Sequence, residues 1–296
     1  MKTIVRYGAY PVVLSACVAL YHFLLNIGAG LHLASYSSVF IGALLMMILE
    51  YRFPHRRAWL PRRADVWQDA IFMILIQAAL PKLLAFALAV KLVELLEPHG
   101  FAVSGVWPGS WSVPSQMLLM MLIADGFRYW LHRFAHEWEC LWRFHAVHHS
   151  PHTLYWLNVG RFHPIDKALQ FFLDALPFIV LGVSESVLGL YFVCYAVNGF
   201  FQHGNVDVRL GILNYIVSGP ELHRWHHSMK KEESNHNYGN NLIVWDLFFG
   251  TWYLPKGRHV GDLGLINRHY PSNFVAQMKT PFIPGVDKQA EPIERV

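Results

Sequence analysis

The sequence predicts an all-α, polytopic membrane protein with four spans, a helical hairpin and a histidine-rich cap on the cytoplasmic face. Three observations carry this. Apolar residues fill 54% of the 296 positions and charged residues only 15%, against roughly 25% charged in soluble domains. A chain this long can bury a large core but has too little charge to coat one, and it is far too apolar for a disordered protein. Several apolar runs approach the roughly 20 residues a helix needs to cross a bilayer. Finally, 11 of the 18 histidines fall between positions 132 and 227. The net charge is +4 and the basic residues form no single cluster, so no nucleic-acid partner is expected. Cys17, Cys140 and Cys194 contain no CxxC pair, which leaves neither a disulfide framework nor a thiolate metal site.

Residues 10–27 and 33–49 are nearly charge-free and form spans one and two. The first reads as a span and not a cleavable signal, because only Lys2 and Arg6 precede it and the next apolar run follows almost at once. Residues 70–95 form the third, interrupted by Pro81-Lys82, Lys91 and Glu94, with a kink expected at Pro81. Residues 114–131 form the fourth and run straight into His132. Residues 168–201 suit a tight helical hairpin that turns at Gly182, Ser184 and Glu185.

Loop charges set the orientation. Residues 50–63 carry five Arg, residues 96–113 carry no Lys or Arg, and the segments 132–167 and beyond 202 are basic again. By the positive-inside rule the N-terminus and every histidine cluster face the cytoplasm. Trp59, Trp67, Trp107 and Trp111 fall at span ends, where interfacial aromatics belong. The organisation expected is an N-terminal transmembrane region (1–113), a catalytic domain of spans plus histidine boxes (114–255) and a polar C-terminal tail (256–296). The tail should pack on the cytoplasmic face and then fray.

Three histidine boxes follow one another. LHRFAHE holds His132 and His136 one helical turn apart on one face. RFHAVHHS holds His145, His148 and His149. ELHRWHHS repeats the HxxHH pattern with His223, His226 and His227, 78 residues later. An isolated histidine near a membrane surface is usually a hydrogen-bonded or snorkelling side chain, and His22, His32, His55, His99, His259 and His269 are read that way. Eight clustered imidazoles are different: without a metal they would need eight sets of hydrogen-bond partners. Eight also exceed what one ion can use, so the count asks for two ions with four or five nitrogens each. Imidazole suits Zn, Cu, Fe and Ni alike, so ligand type does not choose the metal.

HRFAH, HAVHH and HRWHH, in this order and after several spans, resemble the boxes of the fatty acid hydroxylase/sterol desaturase superfamily of integral-membrane di-iron enzymes. ADGFRYWLHRFAHE, His163-Pro164, FFQHGN and NYGNNLIVWDLFFGTW also look like family features, so the resemblance covers roughly 115–255. It looks closest to the bacterial sterol-desaturase-like or alkylglycerol-monooxygenase-like branch, which implies a bacterial inner-membrane location. The resemblance implies that His132, His136, His145, His148, His149, His223, His226 and His227 ligate iron, with His203 of FFQHGN as a further ligand. His163, His236 and His152 stay outside this set, His163 with a hydrogen-bonding role as its alternative.

A metal-bound imidazole gives its other N–H to a carboxylate or carbonyl, and Asp125, Glu137, Asp166 and Asn205 are the candidates. Asp125, Glu137 and Asn205 are taken as the further catalytic-site residues. Asp125 precedes His132 by seven residues within an apolar run, where a carboxylate needs a partner. A ligand histidine or Arg128 is the expected one. HEWEC around Glu137 is not HExxH, so a zincin fails at its last ligand.

The resemblance implies an O2-dependent di-iron oxygenase, a hydroxylase or desaturase, acting on a membrane lipid such as a fatty acyl, sterol-like or ether lipid. No Rossmann, haem or iron–sulfur pattern is present, so electrons must come from a separate ferredoxin- or cytochrome-type partner. Arg133, Arg143, Arg161, Lys230 and Lys231 could steer an acidic carrier. Two alternatives remain at this stage: a membrane zinc hydrolase of lipids, weakened by the ligand surplus, and a non-enzymatic metal or haem membrane protein. The second is weakened because the boxes sit at span ends.

Overall fold

The computed structural model describes residues 2–87 and 105–288. The end of the third apolar run, most of the loop after it and the tip of the tail lie outside the described residues. Helices and turns form the whole architecture: no strand occurs among the described residues, only three isolated bridges, Pro54 with Val206, Val217 with Leu242 and Ser228 with Leu263.

The first helix, α1 (Lys2–Asn26), starts well before the apolar run that predicts it. Gly28, at φ +83°, turns the chain into α2 (Leu31–Arg52). The third helix, α3 (Arg63–Ala87), widens to a π-helical stretch over Phe72–Ala79, immediately before Pro81. Proline has no N–H to donate and crowds the carbonyl four residues back, and the wider turn accommodates it where the sequence suggested a kink. Thr3–Asn26, Leu31–Arg52 and Arg63–Ala87 are the described helices long and apolar enough to cross a membrane. Only 28%, 28% and 11% of their most apolar windows are buried. Ile4, Val12, Phe40, Ile74, Leu83 and Phe86 are among the large apolar side chains left exposed, as lipid contact requires.

Helix α4 (Val113–Glu137) starts on an N-cap, where Ser112 Oγ accepts from the Ser115 N–H at 3.4 Å. It breaks at Trp138, in extended conformation, into α5 (Glu139–His149). The predicted hairpin has a broken first arm. Helix α6 (Pro164–Asp174) stops at Ala175, where Pro177 restarts a short α7 (Leu176–Val180). Gly182, at φ +70°, and Ser184 then lead into α8 (Glu185–His203).

The main core joins α1, α2, α4 and α8 through Cys17, Tyr21, Ala34, Met46, Met120, Ala124, Val193 and Val197. Small residues let the helices approach, as in membrane bundles generally. A Cβ on Gly42 would lie 3.0 Å from Val197 Cγ2 and 3.2 Å from Cys17 Sγ. Buried carboxylates tie the loops to this bundle. Glu50 accepts from the backbone N–H of Trp156 and of Asn205, each at 2.8 Å. Asp69 accepts from Arg161 Nε at 2.7 Å and from the Tyr155 hydroxyl. The tail closes over α5: Asp287 accepts from Trp142 Nε1 at 2.6 Å, and Gln277 donates to Ser150 Oγ at 3.0 Å. The bundle thereby brings the last two turns of α4, all of α5, the end of α8 and α9 (Pro220–His226) together.

Candidate metal centre

The nine histidines singled out as ligands fall into two groups. His132, His136, His145, His149 and His226 form one; His148, His203, His223 and His227 form the other. Within each, one nitrogen per ring lies within 4.8 Å of the rest. Helical spacing explains the division. His145 and His149, four apart on α5, join the α4 pair, while His148 on the neighbouring face joins His203. On α9 the order is reversed: His223 and His227, four apart, enter the second group and His226 the first. Each HxxHH box thus sends its i, i+4 pair to one group and its middle histidine to the other. The groups are adjacent, with the His149 and His227 rings stacked at 4.4 Å between centroids.

The outer hydrogen bonds establish which nitrogens carry protons. His132, His148 and His226 donate from Nδ1 to the carbonyls of Tyr238 (2.7 Å), Arg161 (3.3 Å) and His236 (2.9 Å). His145 Nδ1 meets the Asp166 carboxylate at 2.8 Å. Carbonyls and carboxylates accept, so Nδ1 carries the proton and Nε2 presents a bare lone pair. The buried Nε2 atoms of His132, His145 and His203 have no hydrogen-bond partner, nor do Nδ1 of His223 and His227. His149 Nε2 lies 3.1 Å from both His136 Nε2 and His226 Nε2, and His223 and His227 approach through Nε2 at 3.1 Å. A single ring N–H cannot serve two such neighbours. A cation bonded to each at about 2.0–2.1 Å would set nitrogens about 3.0–3.4 Å apart and satisfy the facing Nε2 atoms. The residues present therefore fit metal ions.

Burial first, then neighbouring imidazoles, hold His148, His149, His223 and His227 well below the ordinary imidazole range. Burial pushes His203 and His226 down to about 3. These six rings are thus neutral at pH 7, the form that binds metal.

Other predicted residues are placed elsewhere. Asp125 pairs with neither a ligand histidine nor Arg128. It accepts from Asn241 N–H and Asn241 Nδ2, both at 2.9 Å, and from Leu242 N–H, while Arg128 pairs with Asp174 at 2.6 Å. The buried carboxylate is satisfied by a loop and not by a ring. Glu137 sits on the exposed side of α4 with Arg133, four residues back, at 2.8 Å. Asn205 exchanges hydrogen bonds with the Arg56 backbone at 2.9 and 3.0 Å. None of the three is hydrogen-bonded to a grouped histidine; of the four polar candidates only Asp166 is. His163 caps α6, accepting from Ile165 N–H at Nδ1 and donating to Met278 O from Nε2. His236 contributes its carbonyl while its ring packs on Tyr253. His152 is exposed, outside both groups. Arg161 is buried on Asp69 and is no surface group, whereas Lys230 and Lys231 are exposed. Sequence reasoning missed Asn158, whose Oδ1 meets His203 Nδ1 at 2.7 Å, and Asn235, whose Oδ1 meets His136 Nδ1 at 3.2 Å. Asn235 stands next to the inspected His236, and spacing alone did not separate the two.

The loop carrying Tyr238 O and His236 O is held by Asp246, which accepts from the N–H of Tyr238 (2.8 Å) and of Gly239 (2.7 Å). A cavity of about 530 Å³ opens beside the histidines, with His132, His145, His148, His203 and His223 in its wall. Apolar side chains, among them Val39, Ile179, Leu188 and Phe192, line much of the remainder.

Residues 117–251 match the fatty acid hydroxylase family. The chain is 35% identical over 259 residues to the ornithine lipid hydroxylase OlsE of Rhizobium tropici, covering 85% of this chain and 77% of that protein. It is 30% identical over 172 residues to human alkylglycerol monooxygenase (Homo sapiens), covering 58% of this chain and 37% of that one. The very-long-chain aldehyde decarbonylase GL1-9 of Oryza sativa subsp. indica is 28% identical over 144 residues, 46% of this chain and 54% of its own. No solved structure matches the chain. With its histidine groups, its apolar cavity and these similarities, the chain belongs to the fatty acid hydroxylase family.

Proposed function

We propose that this protein is an O2-dependent di-iron hydroxylase that oxidises a C–H bond of a membrane lipid. The observation that carries the reading is the meeting of two all-imidazole groups, lone pairs inward, with an apolar cavity. His132, His136, His145, His149 and His226 would hold one iron; His148, His203, His223 and His227 would hold the other. Iron bound there supplies the reductive activation of O2 that an unactivated C–H bond requires.

The chain's own work is binding, orientation and exclusion of water. Asp166, Asn158, Asn235 and three backbone carbonyls fix the tautomer and angle of six of the nine rings, His145, His203, His136, His132, His148 and His226, so their lone pairs converge before any ion arrives. The cavity wall of Val39, Ile179, Leu188 and Phe192 takes up an acyl or alkyl chain and keeps bulk water away. The similar hydroxylase and monooxygenase support hydroxylation over desaturation. On this reading α4 is the fourth span, residues 114–255 are the catalytic domain and the histidine cap faces the cytoplasm of a bacterial inner membrane. Lys230 and Lys231 would there meet a ferredoxin- or cytochrome-type reductant.

The test is oxygen uptake by the iron-loaded protein in the presence of a reductant and total bacterial lipid. One lipid species should gain one oxygen atom as O2 is consumed. No uptake, with lipid esters hydrolysed by the zinc-loaded protein, would replace the oxygenase with a hydrolase.

A further inference from the structure

A buried cation in the cavity wall has no anion among the described residues. Lys167, on α6, is only 5% exposed and lines the cavity. No carboxylate lies within ion-pair distance of it among the described residues. The two wall carboxylates on its own helix are taken: Asp174 by Arg128, and Asp166 by His145 and by Gln170 Nε2 at 2.9 Å. Lys167 Nζ reaches only neutral acceptors, Gln170 Oε1 at 3.4 Å and the Tyr195 hydroxyl at 3.2 Å, and the faces of Tyr195 and Phe162. An ammonium has three donors, and a buried charge is costly without a counter-charge.

A second group in the same wall, Tyr191, whose ring stacks on Tyr195 at 6.0 Å between centroids, is also unpartnered. Tyr191, 7% exposed and in the same wall, has a buried hydroxyl with no hydrogen-bond partner. So has Gln77 Oε1, whose Nε2 donates to the Tyr195 hydroxyl at 3.3 Å. A cation and a spare donor, both buried and facing one cavity, are what a bound anionic group would satisfy. We infer that Lys167 and Tyr191 form a subsite for an anionic oxygen group of the lipid substrate, a carboxylate or a phosphate. The inference rests on the lipid-oxygenase reading, since it concerns the same cavity.

The position of the subsite matters for the reaction. Lys167, Gln170, Asp166 and His145 are joined in that order by three hydrogen bonds, of 3.4, 2.9 and 2.8 Å. An anionic group on Lys167 therefore sits close to the histidines, and the tail fills the apolar remainder. The protein would then select lipids with an anionic group near the oxidised carbon over neutral ones of the same length.

The test uses the full-length, iron-loaded protein in mild detergent and three radiolabelled probes: dodecanoate, dodecyl phosphate and dodecanol. The wild type should bind at least one anion about tenfold or more tightly than dodecanol. Lys167→Met should weaken that anion about tenfold and leave dodecanol within about twofold, with iron content unchanged. Lys167→Arg should retain most of the preference, and Tyr191→Phe should lose about threefold. Whichever anion wins identifies the group. Equal binding of all three probes by the wild type overturns the inference. So does an anion preference that survives Lys167→Met, which would put the anion on the metals. If Lys167→Met does not load iron, the wild-type preference and its roughly threefold fall in Tyr191→Phe decide. Iron content and oxygen uptake are read separately. Failure of the subsite with uptake intact leaves the oxygenase standing, and anion selectivity without uptake sinks the oxygenase alone.

Discussion

Replacing Asp166 removes the carboxylate that orients His145. Its Oδ2 takes the His145 Nδ1–H at 2.8 Å and its Oδ1 takes Gln170 Nε2 at 2.9 Å, both in a buried setting. Burial alone would push this carboxyl up, but His145 and Gln170 hold it below its ordinary value, so it is ionised at neutral pH. Losing such an outer partner typically costs 10–100-fold in metal affinity, about 1.4–2.8 kcal/mol. Asp166→Asn keeps an acceptor for Nδ1–H but loses the charge and the acceptor for Gln170 Nε2, so it belongs at about tenfold. Asp166→Leu leaves two buried donors without partners. It belongs near 100-fold, with a further loss of about 1–3 kcal/mol in stability per stranded group. The assay is competition for iron against a chelator of known affinity, at fixed pH, on the full-length protein. Glu137→Gln is the control: its side chain is 39% exposed and pairs only with Arg133, so affinity should stay within about twofold. Wild-type affinity in both Asp166 variants, or a Glu137 effect as large as theirs, would refute the reasoning.

Three further outcomes follow from the same geometry. Between pH 6.5 and about 3 the unfolded, metal-free chain takes up protons that buried His203 and His226 refuse. Stability is therefore full above pH 6.5 and falls as pH falls, by up to about 1.4 kcal/mol per unit for each such group. Thermal melts of chelated protein should show a lower Tm at pH 5.5 than at 7.5, and a flat profile would contradict the burial argument. Gly239→Ala puts a Cβ 2.4 Å from Leu242 O and 3.0 Å from Asp246 Oδ2. Shifting the loop that carries Tyr238 O should cost about 1–3 kcal/mol and weaken metal retention, read by melting and by metal analysis. Glu50→Ala strands the N–H groups of Trp156 and Asn205. It should destabilise by about 1–3 kcal/mol per group, whereas an unchanged Tm would mean that water replaces the carboxylate.

Much of the fold was legible because it is local. Apolar runs set α1 and α2, although α1 begins eight residues before its run and α2 extends past both ends of its own. The break at Ala175 had a visible cause in Pro177, yet a continuous arm looked equally apolar. Within the site, i, i+4 spacing made the boxes visible, since one turn of helix stacks two imidazoles. Which ring of each HxxHH crosses to the other group depends on how α5 and α9 are turned, and spacing does not encode that. The acceptors on His132, His148 and His226 are backbone carbonyls, which leave no mark on residue type. Asp125 shows the limit of a local rule. A carboxylate in an apolar helix does need partners, but it finds them 116 and 117 residues away, at Asn241 and Leu242.

The central claim is that the two histidine groups hold two irons. Metal analysis of protein purified anaerobically in mild detergent from iron-replete cells tests it most directly. One iron per group, about two per chain, is predicted. His226→Ala removes a ligand from the first group and His148→Ala one from the second. Each should lose metal, and the double variant should lose both ions. Stoichiometric zinc without iron, no oxygen uptake after iron loading, or full metal content in the double variant would contradict the account.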